Sequence, residues 1–228
     1  MYKISPSKAH RILNCTASLR HDDVFVETPA TVRGNILHTL GEMFLKEVDD
    51  DKITEFINEH GIDGYELDLI QGYIHAVLYE TEKIGATEMQ IEVKREIDIY
   101  GFKSNSIIDT LLLSEYEASI IDLKTGNYDV DIIDNEQLYL YGYGVLTRYP
   151  DIQIVHLSIF QKMKKKTITL TRGEIFDYFL DKEEVFTDIR NGNLKYNPSE
   201  KACKFCPIKD TCIARAKWIV GGKKWNIK

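Results

Sequence analysis

Two acids and a lysine sit where a folding chain would ordinarily bury neutral side chains. In SIIDTLLLSEYEASIIDLKTG, residues 106–126, Asp109 lies inside one run of Ile and Leu and Asp122 inside another, with Lys124 two positions later. An ionised carboxylate among apolar neighbours is costly unless it is paired or bound to a metal. If the two segments form one antiparallel pair, the acids can converge, and like charges at close range resist ionising together. A hard divalent cation such as Mg²⁺ or Mn²⁺ removes the conflict, because it prefers oxygen ligands and keeps several waters. One such water can become a nucleophile, and the cation offsets charge developing on a phosphate. On a strand Lys124 points to the same face as Asp122, where an ammonium can orient water or stabilise a pentacovalent phosphate. Solvated acids at strand ends, with Lys124 as an ordinary ion-pair partner, would satisfy the same residues.

The elements that must position these groups follow from periodicity. ISPSKAHRILNC reads as a short helix with Ser5 as N-cap and Pro6 at the first helical position. A second helix runs from about Ala30 to Val48 on the stripe Ile36, Leu37, Leu40, Phe44 and Val48, interrupted by Asp49, Asp50 and Asp51. KITEFINEHG and YELDLIQGYIHAVLYETEKIG are helices closing at Gly61 and Gly85. MQIEVKREIDIY, SIIDTLLL and ASIIDLK then read as consecutive strands. Residues 134–148 read as a helix despite Gly142 and Gly144, which lower its propensity. DIQIVHLSIF and KKTITLT are strands joined by a turn at QKMKKK, and EIFDYFLDKEEVFTDIRNG is one helix closing at Gly192. Three strands, a helix crossover and further strands predict an α/β fold: a mixed central sheet flanked by helices.

At 228 residues and 43% hydrophobic, the chain can bury the core of a single domain. No stretch is long and apolar enough to span a bilayer, and MYKISPSKAHRIL lacks the apolar run of a secretory signal. The expected setting is a reducing cytoplasm, where four cysteines serve as metal ligands or free thiols. Net charge is −7, yet residues 195–228 hold nine Lys/Arg against Glu200 and Asp210. That basic tail on an acidic body suggests a local contact with phosphates, although solvated lysines give the same count.

Other residues narrow the reading. His38 and Glu42 share one helical face, as do Gln137 and Tyr141. Histidine 38, the apolar strand carrying Asp109, the IIDLK of Asp122 and Lys124, and Gln137-x-x-x-Tyr141 stand in an order that resembles the RecB-like nucleases of the PD-(D/E)xK superfamily. Ser106 stands where that family commonly has glycine. The resemblance covers about residues 30–160 and then the tail, and it implies a restriction-endonuclease-like core. It further implies that His38, Asp109, Asp122 and the Leu123 backbone carbonyl hold Mg²⁺ or Mn²⁺. Lys124 would be the catalytic lysine, with Gln137 and Tyr141 positioning it or the DNA backbone. Glu42 and Glu92 would lie near the site with no assigned chemistry.

The four cysteines are Cys15 and, 188 residues later, Cys203-x2-Cys206-x5-Cys212. Three clustered thiols need a fourth ligand to close a tetrahedral zinc site or a four-thiolate iron–sulfur cluster, and spacing alone does not separate the two. One cysteine before and three after a RecB-like core is similar to the iron–sulfur exonucleases: the AddB nuclease domain, the CRISPR-associated RecB-like exonucleases and their phage relatives. That resemblance implies a structural [4Fe–4S] cluster, with structural Zn²⁺ as the alternative, stapling residues 195–228 to residues 1–29. The nuclease core would then occupy about 30–194, with a helical insertion near 50–86, all in one domain.

The basic tail and the lysines at 162–166 would grip phosphates, and Phe205, Trp218 and Trp225 could stack on single-stranded bases. The resemblance therefore implies a metal-dependent DNA exonuclease acting on DNA with a single-stranded end, in DNA processing or recombination. If it is phage-encoded, the host cytoplasm is its compartment. A catalytically idle DNA- or protein-binding module and a structure-specific endonuclease are the competing readings.

Overall fold

The computed structural model describes residues 4–21 and 27–222 of the chain. Its centre is a five-stranded mixed sheet, β1 (Glu88–Ile99), β2 (Phe102–Leu113), β3 (Glu117–Lys124), β4 (Ile154–Gln161) and β5 (Lys164–Thr171), in the order β1-β2-β3-β4-β5. Only β3 and β4 run parallel. A parallel pair needs a crossover, and α5 (Glu136–Arg148) supplies it. The predicted α/β fold, a mixed sheet flanked by helices, is what the chain adopts.

Helices cover both faces. On one side α2 (Pro29–Leu45), α3 (Asp50–His60) and α4 (Gly64–Lys83) pack Leu37, Leu40, Ile70 and Val77 against Leu112, Ile121, Leu123 and Phe160. On the other, α1 (Pro6–Ile12), α5, α6 (Arg172–Leu180) and α7 (Glu183–Arg190) cover Leu111, Ile120, Val155 and Leu157. Burial on both faces is why these strands read as continuous apolar runs instead of alternating ones.

Local chemistry sets the boundaries. Helix α2 begins with Pro29 behind the Thr28 cap and stops at Leu45, short of Val48, with Glu47 at φ +52°. The three aspartates do more than interrupt. Asp49 caps α3 by accepting from the Asp51 amide, and Asp50 and Asp51 fill its first turn, where negative charge suits the helix dipole. A reciprocal capping box between Asp63 and Glu66 starts α4. The β4–β5 turn is only Lys162–Met163, both at positive φ, so the lysines at 164–166 belong to β5 and not to a loop.

One expected helix is two. The stretch 174–192 breaks at Asp181–Lys182 into α6 and α7, and no Gly or Pro marks the break. Phe179 and Phe186, one from each piece, are both buried, with ring centroids 6.5 Å apart; tertiary packing of the rings has outweighed continuous helix propensity.

The glycines of α5 bring the helix close to its neighbours. A β-carbon at Gly144 would lie 2.6 Å from Ile97 Cγ1 of β1, and one at Gly142 would lie 2.6 Å from Ile175 Cδ1 of α6. Ile97 is buried and β-branched on a strand, so it has little room to yield. Gly144→Ala is expected to lower stability by about 1–2 kcal/mol, because overpacking outweighs the gain in helix propensity. A shift of the urea midpoint to lower concentration checks this; an unchanged or higher midpoint would show that α5 is not closely seated.

Candidate metal and catalytic site

The site forms where the β2–β3 ladder ends. Thr110 pairs with Ile121 as the last registered pair, and the next residues are Asp109 and Asp122. There the Leu123 N–H donates to Asp109 Oδ2 at 2.7 Å instead of to a strand carbonyl, so the Asp109 carboxylate takes the place of a ladder bond. Asp122 is 2% exposed. The Lys124 ammonium lies 2.7 Å from its Oδ2, while Gln137 Nε2 donates to its Oδ1 at 3.1 Å.

Gln137 links the remaining groups. Its Oε1 accepts from Lys124 Nζ at 3.2 Å, and its Nε2 also donates to the Tyr141 hydroxyl at 2.9 Å. Asn135 caps α5 by accepting from the Leu138 amide, which fixes Gln137 in the first turn, beside the acids. On the opposite side, α2 brings His38 Nδ1 to 3.5 Å from Asp109 Oδ2 and 3.8 Å from Glu92 Oε1. His38, Asp109, Asp122, Lys124, Gln137 and Tyr141 thus form one connected cluster. Leu123 places its amide on Asp109 and its side chain in the α2–α4 core.

Glu92 has more than a nearby position. One donor atom each from His38, Glu92 and Asp109 falls within 4.8 Å, which fits a hard divalent cation with mixed nitrogen and carboxylate donors. Glu92 faces Asp109 across the hairpin, and at φ +51° it interrupts the pairing between Ile91↔Thr110 and Val93↔Ile108. A left-handed, non-glycine residue in a strand costs roughly 1 kcal/mol or more. The signal in the sequence was the hairpin itself: counting back from a two-residue turn at Tyr100–Gly101 sets residue 92 opposite 109. Glu42, by contrast, pairs with Lys46 at 2.5 Å.

Electrostatics at the cluster follow from burial and like charge. Burial first, and the Asp122 charge second, push Asp109 up to about 7, against the pull of His38, Lys124 and the Leu123 amide. Burial works to neutralise His38, but Glu92, Asp109 and Asp122 together raise it. Lys124 is likewise buried, and the Asp122 carboxylate outweighs that burial and holds it charged. Burial, then Asp122, pushes the Tyr141 phenol far up, so it serves as a neutral hydroxyl.

The four cysteines meet at one place. Cys15, Cys203, Cys206 and Cys212 are free thiols that line one recess with Ser18, Tyr196 and Ala202. Around it the tail is tied to the N-terminal segment: the Ala17 amide donates to the Lys195 carbonyl at 3.0 Å, and the Lys195 amide donates to Thr16 Oγ1 at 2.7 Å. The Asn197 amide donates to Cys15 Sγ at 3.4 Å, a contact that suits a ligating sulfur.

The lysines at 162–166 are partly committed inside the protein. Lys162 pairs with Asp129 at 2.8 Å, Lys165 with buried Glu80, and Lys166 with the Val130 carbonyl. Trp218 lines a groove with Lys204, Lys209 and Arg215, whereas Trp225 lies outside the described residues. Among the described residues, no helix is long and apolar enough to cross a membrane.

The raised Asp109 makes a stability prediction. Because the folded state holds a proton up to about 7 that the unfolded chain gives up near 3.8, stability without cation falls as pH rises through that window. Asp109→Asn keeps an acceptor for the Leu123 amide and removes the charge. At pH 8 without divalent cation it is expected to be more stable than the parent by on the order of 2 kcal/mol, with little difference at pH 4. Mn²⁺ should then stabilise the parent and not the variant. Denaturant titrations check both; equal stability at pH 8 would show that the acids are not in conflict.

Among curated proteins none matches the sequence. The chain is similar in structure to the "Putative exonuclease" of Eubacterium rectale, with a TM-score of 0.53 and 11% identity over 92% of this chain and 88% of that one. It also aligns with LHK-Exo, solved in complex with dAMP, at a TM-score of 0.32 and 13% identity over 81% of this chain and 93% of that one. At these identities the first likeness establishes a shared fold. The model of the family described as "Protein of unknown function (DUF2800)" matches residues 2–227, nearly the whole length, and the chain belongs to that family.

Proposed function

We propose that the protein is a Mg²⁺- or Mn²⁺-dependent deoxyribonuclease of the RecB-like iron–sulfur type, an exonuclease that hydrolyses phosphodiester bonds in DNA processing or recombination. The observation that carries the reading is the convergence of His38, Glu92 and Asp109 donors beside the Asp122–Lys124–Gln137 network. The single fold of the Eubacterium rectale protein is consistent with it.

His38, Glu92, Asp109, Asp122 and the Leu123 carbonyl would hold the cation. When bound, a divalent cation lowers the pKa of a coordinated water and offsets charge on the phosphate. The protein's own groups do the rest. Lys124, held charged by Asp122, would orient the attacking water or offset charge on a phosphate oxygen. Gln137 fixes that ammonium through Oε1 while donating to Asp122, so lysine and acid keep one geometry. Tyr141, neutral at any working pH, donates or accepts without adding charge. Deep burial of Asp122 excludes bulk water from the acid pair.

The cysteine recess completes the reading. Four thiols at one recess suit a [4Fe–4S] cluster, which takes one thiolate per iron, with structural Zn²⁺ as the alternative. Its role is structural, fixing the tail to the first helix. Substrate is DNA with a single-stranded end, and the compartment is the cytoplasm.

End-labelled single- and double-stranded DNA, incubated with Mg²⁺ or Mn²⁺, tests the activity. Stepwise loss of nucleotides from an end is expected, falling by at least roughly 10³-fold in Asp122→Ala and Lys124→Ala with far-UV circular dichroism unchanged. Internal cuts at a strand junction would make it a structure-specific endonuclease, and binding without cutting would make it an idle module. A separate check concerns the cysteines: protein purified without oxygen should be brown, absorb broadly near roughly 400 nm and contain iron. Stoichiometric zinc without iron would replace the cluster by a zinc site.

A further inference from the structure

Next to Lys124 and Gln137 a cleft of about 480 Å³ opens between α1, residues 128–136 and the start of the cysteine-held tail. Three large apolar side chains stand open on it: Tyr128, Ile133 and Phe205 are 75%, 63% and 59% exposed. Apolar surface gathered at one cleft and left in water calls for an apolar ligand face. Phe205 is set edge-on to His10, with centroids 5.8 Å apart, and the Lys204 ammonium lies 5.3 Å from its ring centre.

The polar lining is mixed: Lys124, Lys201 and Lys204 stand on the cleft beside acids and two imidazoles. Glu136 is 3% exposed and lines the cleft. Its Oε1 accepts from Asn14 at 2.8 Å and pairs with Lys201 at 2.8 Å, but Oε2 is shielded from water and has no hydrogen-bond partner. His10 Nε2 and His21 Nε2, on the same cleft, are likewise shielded and without a hydrogen-bond partner. A phosphate oxygen offers Glu136 no donor and is repelled by it. A nucleobase satisfies both sets of groups: its faces stack on aromatic rings, and its edge carries N–H donors and ring acceptors. In a duplex those faces and edges are already taken.

We infer that this cleft receives an unpaired nucleotide of the strand being cut, an inference that rests on the nuclease reading. The base stacks on Phe205 with Tyr128 alongside, its edge turns toward Glu136 and His10, and its phosphates face Lys124 and Lys204. Because Phe205 lies between Cys203 and Cys206, the cysteine-held tail carries one wall of the substrate site.

The test is equilibrium binding by the full chain in buffer free of divalent cation, so that nothing is cut. The probes are single-stranded oligodeoxynucleotides with 2-aminopurine at successive positions from each end, and the same sequences as blunt duplexes. Wild-type protein is expected to quench 2-aminopurine at one position of the single strand. Phe205→Ala and Tyr128→Ala should lose that quench and weaken single-strand binding roughly 5- to 100-fold, with duplex binding unchanged; Phe205→Tyr should restore both. Metal content of the Phe205 variants is measured first, and Tyr128, remote from the cysteines in sequence, keeps the test valid if Phe205→Ala loses metal. Unchanged quench and affinity in Tyr128→Ala and in metal-replete Phe205→Ala would overturn the assignment. If the wild-type protein still digests labelled DNA with Mn²⁺, only the cleft falls and the nuclease reading stands. Variant-sensitive binding by a protein that never cuts would keep the cleft and remove the nuclease.

Discussion

Everything at this site depends on one substitution in a β-ladder: the Asp109 carboxylate accepts the Leu123 amide where a strand carbonyl would otherwise do so. That bond pulls an acid into a sheet packed on both faces and sets it beside a second buried acid, Asp122. Burial and the Asp122 charge together raise Asp109 to about 7, so without a cation a proton relieves the conflict below that pH. Carboxyl groups shifted this far by burial and like charge cluster at functional sites. Glu92 adds strain in the backbone, where a positive φ opposite Asp109 sets a second carboxylate beside His38 and Asp109.

Helix α5 does two jobs. Its glycines allow it to sit against β1 and α6, and that close seat is what brings Gln137 within hydrogen-bonding reach of both Asp122 and Lys124. The residue before Gln137 is Glu136, which Lys201 of the tail and Asn14 near the end of α1 both hold. Lys201 also donates to the Asp134 carbonyl at 2.6 Å. The cysteine-bearing segment is therefore tied to the first turn of the helix that carries Gln137.

Much of this was legible in the chain. Apolar period marks the helices and strands, because burial on one helical stripe or on two sheet faces leaves a local pattern. Asp109, Asp122 and Lys124 stand out because charge on an apolar strand has few inexpensive explanations. The four cysteines stand out by number. Less was legible where the deciding contact lies far along the chain. The resemblance set Glu92 near the site without a role, and only the hairpin register places it against Asp109. The break at Asp181–Lys182 carries no breaker residue and follows from the burial of Phe179 and Phe186. The lysines at 162–166 look like a loop by composition, yet a two-residue turn leaves three of them in β5.

The sequence by itself determined the kinds of element, the acids and lysine on greasy strands, and the number of thiols, since each is written in residue types and short spacings. Only the tertiary structure decided that His38 and Glu92 meet at Asp109, that Cys15 joins three cysteines 188 or more residues away, and that Glu136 keeps an unpartnered oxygen on an apolar cleft. Periodicity reports a residue's own surroundings over one or two turns. Distances between elements come from strand register and from how closely helices seat, and those are set by packing of the whole chain.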